Sequence, residues 1–418
     1  MIRRHPAPTA AGRPDHHRTA PVALLVAGSV LIAANLRAAL TVVGPVLDPI
    51  GRGLGLSASA AGLLNTLPLL AFAAFSPIAP GLARRLGRER ALLVALVVLT
   101  AGIVVRSLPA AGALFTGTVM LGAAIAVGNV LLPEVIRYYF PDRVGVLTGT
   151  YVTVMGLVAA LASGFAVPIA GSEPDGWRLA LGCWAGLALI TAALWAPHAV
   201  RQSPGFPPTG STHPRRPVAM PWRSPLAWQV TGFMGLQSLG FYVMIAWLPS
   251  ILESRGATSA TAGWALFGYQ FVALAASLVL PLVTRQVTDQ RRVAVTAALC
   301  CLVGYLGLAL APSAALAWVA VVGLGGGACL VLALSFIGLR ASDAAHTAAL
   351  SGMAQSIGYL LAAFGPVLFG ALHDSTTSWT PPLLGLAATA ALLAVTGLGA
   401  GRPAHVQAAP RRSPRPQR

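Results

Sequence analysis

Twelve runs of nearly uninterrupted apolar residues constrain this chain more than any other feature, because each is long enough for a helix of about 20 residues to cross a bilayer. They fall at 22–47, 59–81, 91–108, 112–136, 145–170, 177–196, 226–251, 261–284, 293–311, 315–338, 348–372 and 380–400. Backbone polar groups in hydrocarbon must bond to one another, so runs of this kind predict an all-α membrane protein. Composition agrees. Of 418 residues, 56% are hydrophobic and 9% charged, whereas soluble domains carry about 25% charged residues.

The net charge is +17 and every one of the 28 basic residues is arginine, which a GC-rich coding bias explains without special chemistry. Nucleic acid is not an expected partner, because the arginines are spread over short connectors and two tails instead of a folded basic domain. Their placement sets orientation. Apart from Arg37, only Arg52, Arg106, Arg178 and Arg255 fall on the odd-numbered connectors; the rest lie on the even-numbered connectors and the tails. Positively charged short loops stay inside, so both termini are expected in the cytoplasm of a bacterial cell, with the chain in its inner membrane. The first apolar run is longer than a signal-peptide core and reads as a retained first span. Cys183, Cys300, Cys301 and Cys329 all lie in apolar runs and read as small core residues, with no disulfide framework, no metal site and no cofactor expected.

One long polar connector, 197–225, is rich in Pro, Ser and Thr and divides the spans six and six. The expected organisation is a tail at 1–21, a first bundle at 22–196, the linker at 197–225, a second bundle at 226–400 and a basic tail at 401–418. Laid over each other at an offset of about 201, the halves repeat. Ala61-Gly62 meets Ala262-Gly263, Arg84 meets Arg285, Arg90 meets Arg291, and Gly156 meets Gly358 with one residue of drift.

The polar residues inside the spans carry the functional reading. Arg37 stands roughly 20 Å into a core about 30 Å thick, with no acidic residue in its own span before Asp48 at the outer end. A cation there costs from about 3 to above 10 kcal/mol, so it is expected to face a cavity or protein interior. The only asparagines, Asn35, Asn65 and Asn129, lie in spans 1, 2 and 4; Gln237, Gln270 and Gln355 lie in spans 7, 8 and 11. Spans 3, 6, 9 and 12 contain no Asn, Gln, Asp or Glu. Tyr359 follows Gln355 by one turn, and Tyr151 lies early in span 5. The expected substrate site is therefore Arg37, Asn35, Asn129, Gln237, Gln270, Gln355, Tyr359 and Tyr151, suited to a small planar molecule that is anionic or strongly dipolar. For each amide the competing reading is an ordinary interhelical hydrogen bond. Glu134 with Arg137 one turn later, and Arg84, Arg85 and Arg88 between spans 2 and 3, are the candidates for gating or coupling. Glu134 is the carboxyl best placed to carry a coupling proton, and Asp48 a weaker one. The expected partners are a small-molecule substrate and the lipid bilayer, and the working unit is a monomer.

Parallel six-helix halves are the arrangement of major facilitators. The segment Ala83-Arg84-Arg85-Leu86-Gly87-Arg88-Glu89-Arg90 resembles their loop between helices 2 and 3, with Pro80 in place of the leading glycine and Arg84 where an aspartate is usual. More narrowly, the chain resembles the cyanate and 2-nitroimidazole transporter (CynX/NimT) family. The residues are Asn35-Leu36-Arg37 with Leu40-Thr41 and Gly44-Pro45, Gly128-Asn129-Val130-Leu131-Leu132-Pro133, Ser224-Pro225-Leu226-Ala227-Trp228-Gln229-Val230, Gly235-Leu236-Gln237-Ser238-Leu239 with Phe241-Tyr242, and Met353-Ala354-Gln355-Ser356 with Gly358-Tyr359. The resemblance implies a major facilitator fold of 12 transmembrane helices in two six-helix bundles related by a pseudo-two-fold axis, and transport by alternating access. An exporter of amphiphilic drugs and a non-transporting receptor are the alternatives. An enzyme is not expected, since the spans hold no nucleophile with a base, no paired carboxylates and no clustered metal ligands.

Overall fold

A computed structural model describes residues 22–201, 221–284, 287–342 and 344–406. Nearly all of them are helical. The first span is broken: α1 (Val22–Thr41) gives way to a 3-10 turn at Gly44–Val46 and then α2 (Leu47–Leu54). Pro45 lacks the N–H that would continue α1, and Gly55 in the left-handed region ends α2. Ser57 then caps α3 (Ala58–Phe75), its hydroxyl accepting from the Ala60 amide at 3.2 Å.

The first half continues with α4 (Ala79–Leu86), α5 (Arg88–Arg106), α6 (Ala111–Tyr139), α7 (Val144–Ala170), α8 (Gly176–Gly182) and α9 (Trp184–Arg201). The second half comprises α10 (Pro225–Glu253), α11 (Ser259–Thr284), α12 (Arg291–Leu310), α13 (Ala315–Leu339), α14 (Ala344–Thr376) and α15 (Thr380–Ala400). Among the described residues, eleven helical segments are long and apolar enough to cross a membrane. The remaining span is α5, whose 19 residues carry Arg88, Glu89 and Arg90 in the first turn and Arg106 at the end. Large aliphatic side chains such as Leu282 (74% exposed) and Val97 (56%) point out of the bundle, as a lipid-facing surface requires.

Helix packing repeats between the halves. In the first, α1 packs on α7, α6 and α9, and α5 on α6 and α9; in the second, α10 packs on α14, α13 and α15, and α12 on α13 and α15. The contacts between halves also exchange under the pseudo-two-fold: α3 lies on α14, and α11 on α7. Close approach there depends on the repeated glycine. A Cβ on Gly62 would stand 2.7 Å from the Pro366 carbonyl oxygen across the halves, and one on its counterpart Gly263 would meet the Ser163 carbonyl oxygen at 3.3 Å. Arg285, the partner expected for Arg84 in the repeat, lies outside the described residues.

Two boundaries differ from expectation. Helix α9 runs through Pro197 to Arg201, so the linker begins later than 197; proline costs one bond to the Ala193 carbonyl and the helix continues for another turn. Arg106, counted among the connector arginines, is 1% exposed inside the bundle. Its Nη1 donates to the Ala39 carbonyl at 2.7 Å and its Nη2 to the Leu181 carbonyl at 3.3 Å, tying α5 to α1 and α8.

Candidate functional site

A cavity of about 410 Å³ lies between the halves, within the range of small-molecule sites. Its walls come from α1, α3, α6, α7, α10, α11, α13 and α14, the first, second, fourth and fifth spans of each half. Helices α5, α9, α12 and α15 do not line it.

The two ends of the cavity differ. At the end opposite the arginine-rich connectors the halves are joined by hydrogen bonds. The Asp374 carboxylate accepts from the Ala58 and Ser59 amides at 3.1 and 2.9 Å, capping α3 from the other half. Ser250 donates to Asp48 at 2.8 Å, and Thr66 to the Ala363 carbonyl at 2.7 Å. Gly44 rests directly on the Ile245 backbone. Toward the arginine-rich end the walls are Ser76, Pro77, Val152, Ser277, Leu334 and Ser356, and the cavity extends that way.

Arg37 is the one charged side chain among the described residues that line the cavity. Its Cζ lies 5.1 Å from the centroid of the Phe241 ring, a cation–π contact, and Tyr242 lines the same wall. Phe241 and Tyr242 meet edge-to-face at 5.3 Å, which fixes the aromatic wall beneath the cation. No carboxylate forms an ion pair with Arg37 among the described residues.

Asn129, Gln270, Gln355 and Tyr359 also stand on the cavity wall. Gln270 reaches across the halves, its Nε2 donating to Ser163 Oγ at 2.6 Å, while Gln355 Nε2 donates to Ser351 Oγ at 2.7 Å within α14. Three expected site residues stand elsewhere. Asn35 is 3% exposed and turned to α9, where Nδ2 donates to Thr191 Oγ1 and the Leu31 carbonyl, both at 2.9 Å. Gln237 faces a separate small pocket within the second half, beside Tyr269 and Tyr305, and its Nε2 donates to Ser238 Oγ at 2.7 Å. Tyr151 packs against the apolar core instead of the cavity. The Asn35 bond to α9 is the interhelical contact that competes with a binding role for any polar group in a bundle, whereas the Gln237 bond stays within α10.

The charged residues at the arginine-rich end pair differently from the sequence reading. Glu134 pairs with Arg88 of α5 at 2.7 Å, not with Arg137, and Arg88 also lies 4.6 Å from the Tyr138 ring centroid. Because α5 and α6 belong to the same half, this pair braces that half and does not bridge the two. Arg84, Arg85 and Arg137 are exposed. Cavity residues outside the expected site include Phe72, Ser277, Ser356 and Tyr242, which only the packing of the two halves brings to one wall.

The sequence profile of the Major Facilitator Superfamily matches residues 29–362 and 234–417. The chain is 48% identical over 380 residues to the 2-nitroimidazole transporter of Escherichia coli (strain K12), covering 91% of this chain and 95% of that one. It is 28% identical over 355 residues to the cyanate transport protein CynX of the same organism, covering 82% and 88%. Among solved structures, a bacterial homologue of the human lysosomal transporter Spinster, inward-facing and occupied, superposes with a TM-score of 0.72 at 17% identity over 90% of this chain and 95% of that one. With two matching halves, a cavity walled by eight of their helices and near full-length relatives that are transporters, the chain belongs to the Major Facilitator Superfamily, in the branch that holds the 2-nitroimidazole and cyanate transporters.

Proposed function

We propose that this protein is a secondary active transporter of a small planar solute, anionic or strongly dipolar, of the nitroimidazole or cyanate kind. Arg37 carries the reading. It is a permanent cation without an acidic partner at the wall of an interdomain cavity, set over an aromatic face. A planar solute can stack on Phe241 while its oxygen or nitrogen acceptors take parallel hydrogen bonds from the guanidinium. Gln355, Tyr359 and Asn129 complete the wall with neutral donors and acceptors, which suits a dipolar solute as well as an anion. The relatives named for a nitroimidazole and for cyanate span that same range.

The arginine-rich end is cytoplasmic, so both termini and the 197–225 connector lie inside, the membrane is the bacterial inner membrane, and the conformation described is open inward. Transport follows when the bundles at 22–196 and 226–400 rock about the site in a single chain. Coupling to a proton has to use carboxyls away from the cavity, since no Asp or Glu lines it among the described residues. The single charge on the wall is a cation, which favours an anionic or dipolar solute over the cationic amphiphiles that an exporter would hold with an acidic residue.

The test is counterflow of labelled 2-nitroimidazole and cyanate in proteoliposomes. Arg37→Lys keeps the charge without the planar fork and is expected to impair exchange at least tenfold, and Arg37→Ala to abolish it, with both proteins still inserted. Normal exchange by Arg37→Ala overturns the assignment. Binding without exchange would mark a receptor.

A further inference from the structure

Adjoining the large cavity, with which it shares Arg37, Leu40, Phe241 and Tyr242, is a second and much smaller pocket of about 10 Å³, room for one solvent-sized particle. Arg37 and Arg106 both line it, together with Asn65, Thr41, Thr118 and Tyr242, and no carboxylate does. Two of its polar atoms have no hydrogen-bond partner although they are buried: Arg106 Nε and Asn65 Nδ2. The residues themselves are 1% and 8% exposed. The two threonine hydroxyls have already spent their protons, Thr41 on the Ala159 carbonyl at 2.8 Å and Thr118 on the Leu114 carbonyl at 2.7 Å. The titratable group that interacts with Arg106 is the Cys183 thiol, which is neutral near pH 7 and supplies no counter-charge.

We infer that this pocket is a binding site for a monatomic anion, chloride in the cell, held by Arg106 Nε–H and the Asn65 amide. The chemistry follows from what the walls offer. Both unpartnered atoms are donors, so the occupant must accept. Arg106 cannot shed its proton and its two other bonds go to neutral carbonyls, so the buried charge itself remains uncompensated. Water would satisfy the donors but leave the charge; a halide does both. A polyatomic anion such as phosphate exceeds the space. The inference does not depend on the cargo assigned above, because Asn65, Arg106 and Thr118 lie outside the large cavity. Since Arg37 belongs to both pockets, however, the anion sits within the field of the transport site.

The experiment compares thermal unfolding of the purified full-length protein in chloride and in gluconate at constant ionic strength. Chloride is expected to raise the melting temperature of the wild type by a few degrees, since it binds the folded state alone. Asn65→Asp places a carboxylate in the pocket, and its melting temperature should no longer respond to chloride. Crystals of the wild-type protein grown in bromide should show an anomalous peak between Arg106 and Asn65. A wild type indifferent to chloride, a response retained in Asn65→Asp, or a pocket without bromide density overturns the proposal in favour of water. Should Asn65→Asp fail to fold, the bromide measurement on the wild type decides alone.

Discussion

Gln355 and Gln237 are the same residue type in matching apolar surroundings, yet they face different spaces: Gln355 stands on the wall of the large cavity, and Gln237 is 6% exposed beside Tyr269 and Tyr305. Gln355→Leu is expected to weaken solute binding about fivefold, roughly 1 kcal/mol for one hydrogen bond, while Gln237→Leu leaves affinity unchanged. Equilibrium binding of the labelled solute to both purified variants reads the difference. Equal losses would place Gln237 back in the site. Arg37 was legible from the sequence because a cation in an apolar run is expensive whichever way its helix turns. The amides divided, Asn129, Gln270 and Gln355 standing on the cavity wall and Asn35 and Gln237 off it, because α1 and α10 carry apolar residues around their whole circumference. In such helices no amphipathic stripe announces the inward side, and only neighbouring helices decide it. Arg106 was missed for a related reason: near the end of a run it reads as a loop arginine, and its burial follows from how α5 lies against α1 and α8.

At the level of the helices, the approach of α3 to α14 and of α11 to α7 rests on backbone carbonyls set against glycine. Adding a methyl at Gly62 drives it to 2.7 Å from the Pro366 oxygen, whereas at Gly263 the nearest oxygen is 3.3 Å away. Gly62→Ala should therefore cost about 1–3 kcal/mol of overpacking and lower the melting temperature, and Gly263→Ala should cost less. Thermal unfolding of the two variants tests this, and an equal or reversed order would contradict the asymmetry of the two contacts. The Ala-Gly pair and its spacing were visible in the sequence, as were most of the long helices, eleven of which are apolar enough to cross a membrane among the described residues. The break in α1 at Gly44–Val46 was not anticipated, although Gly44-Pro45 carried the signal. An apolar run gives the length of a crossing, but a turn within it shows only in the backbone residues that cannot continue a helix.

For the whole molecule, orientation and conformation are separate predictions. Reporter fusions after Arg418 and within the 197–225 connector should both register as cytoplasmic; a periplasmic signal from either reverses the assignment. The seal at the opposite end should weaken when Asp374 loses its charge, since its carboxylate holds the Ala58 and Ser59 amides across the halves. With Cys183 and Cys300 replaced and spin labels at positions 52 and 375, Asp374→Asn is expected to broaden the distance distribution toward longer separations. An unchanged distribution would mean that the remaining contacts suffice. The seal has a further consequence, for how such a carrier changes its cargo over evolutionary time. Gly44 against the Ile245 backbone, Gly62 against a carbonyl and Asp374 against two amides form a closure built almost wholly from main chain, so substitutions at Gln355, Ser356 or Tyr359 can retune what is carried without disturbing how the gate shuts. One mechanical frame can thus be inherited intact while the inventory of solutes that it moves diversifies.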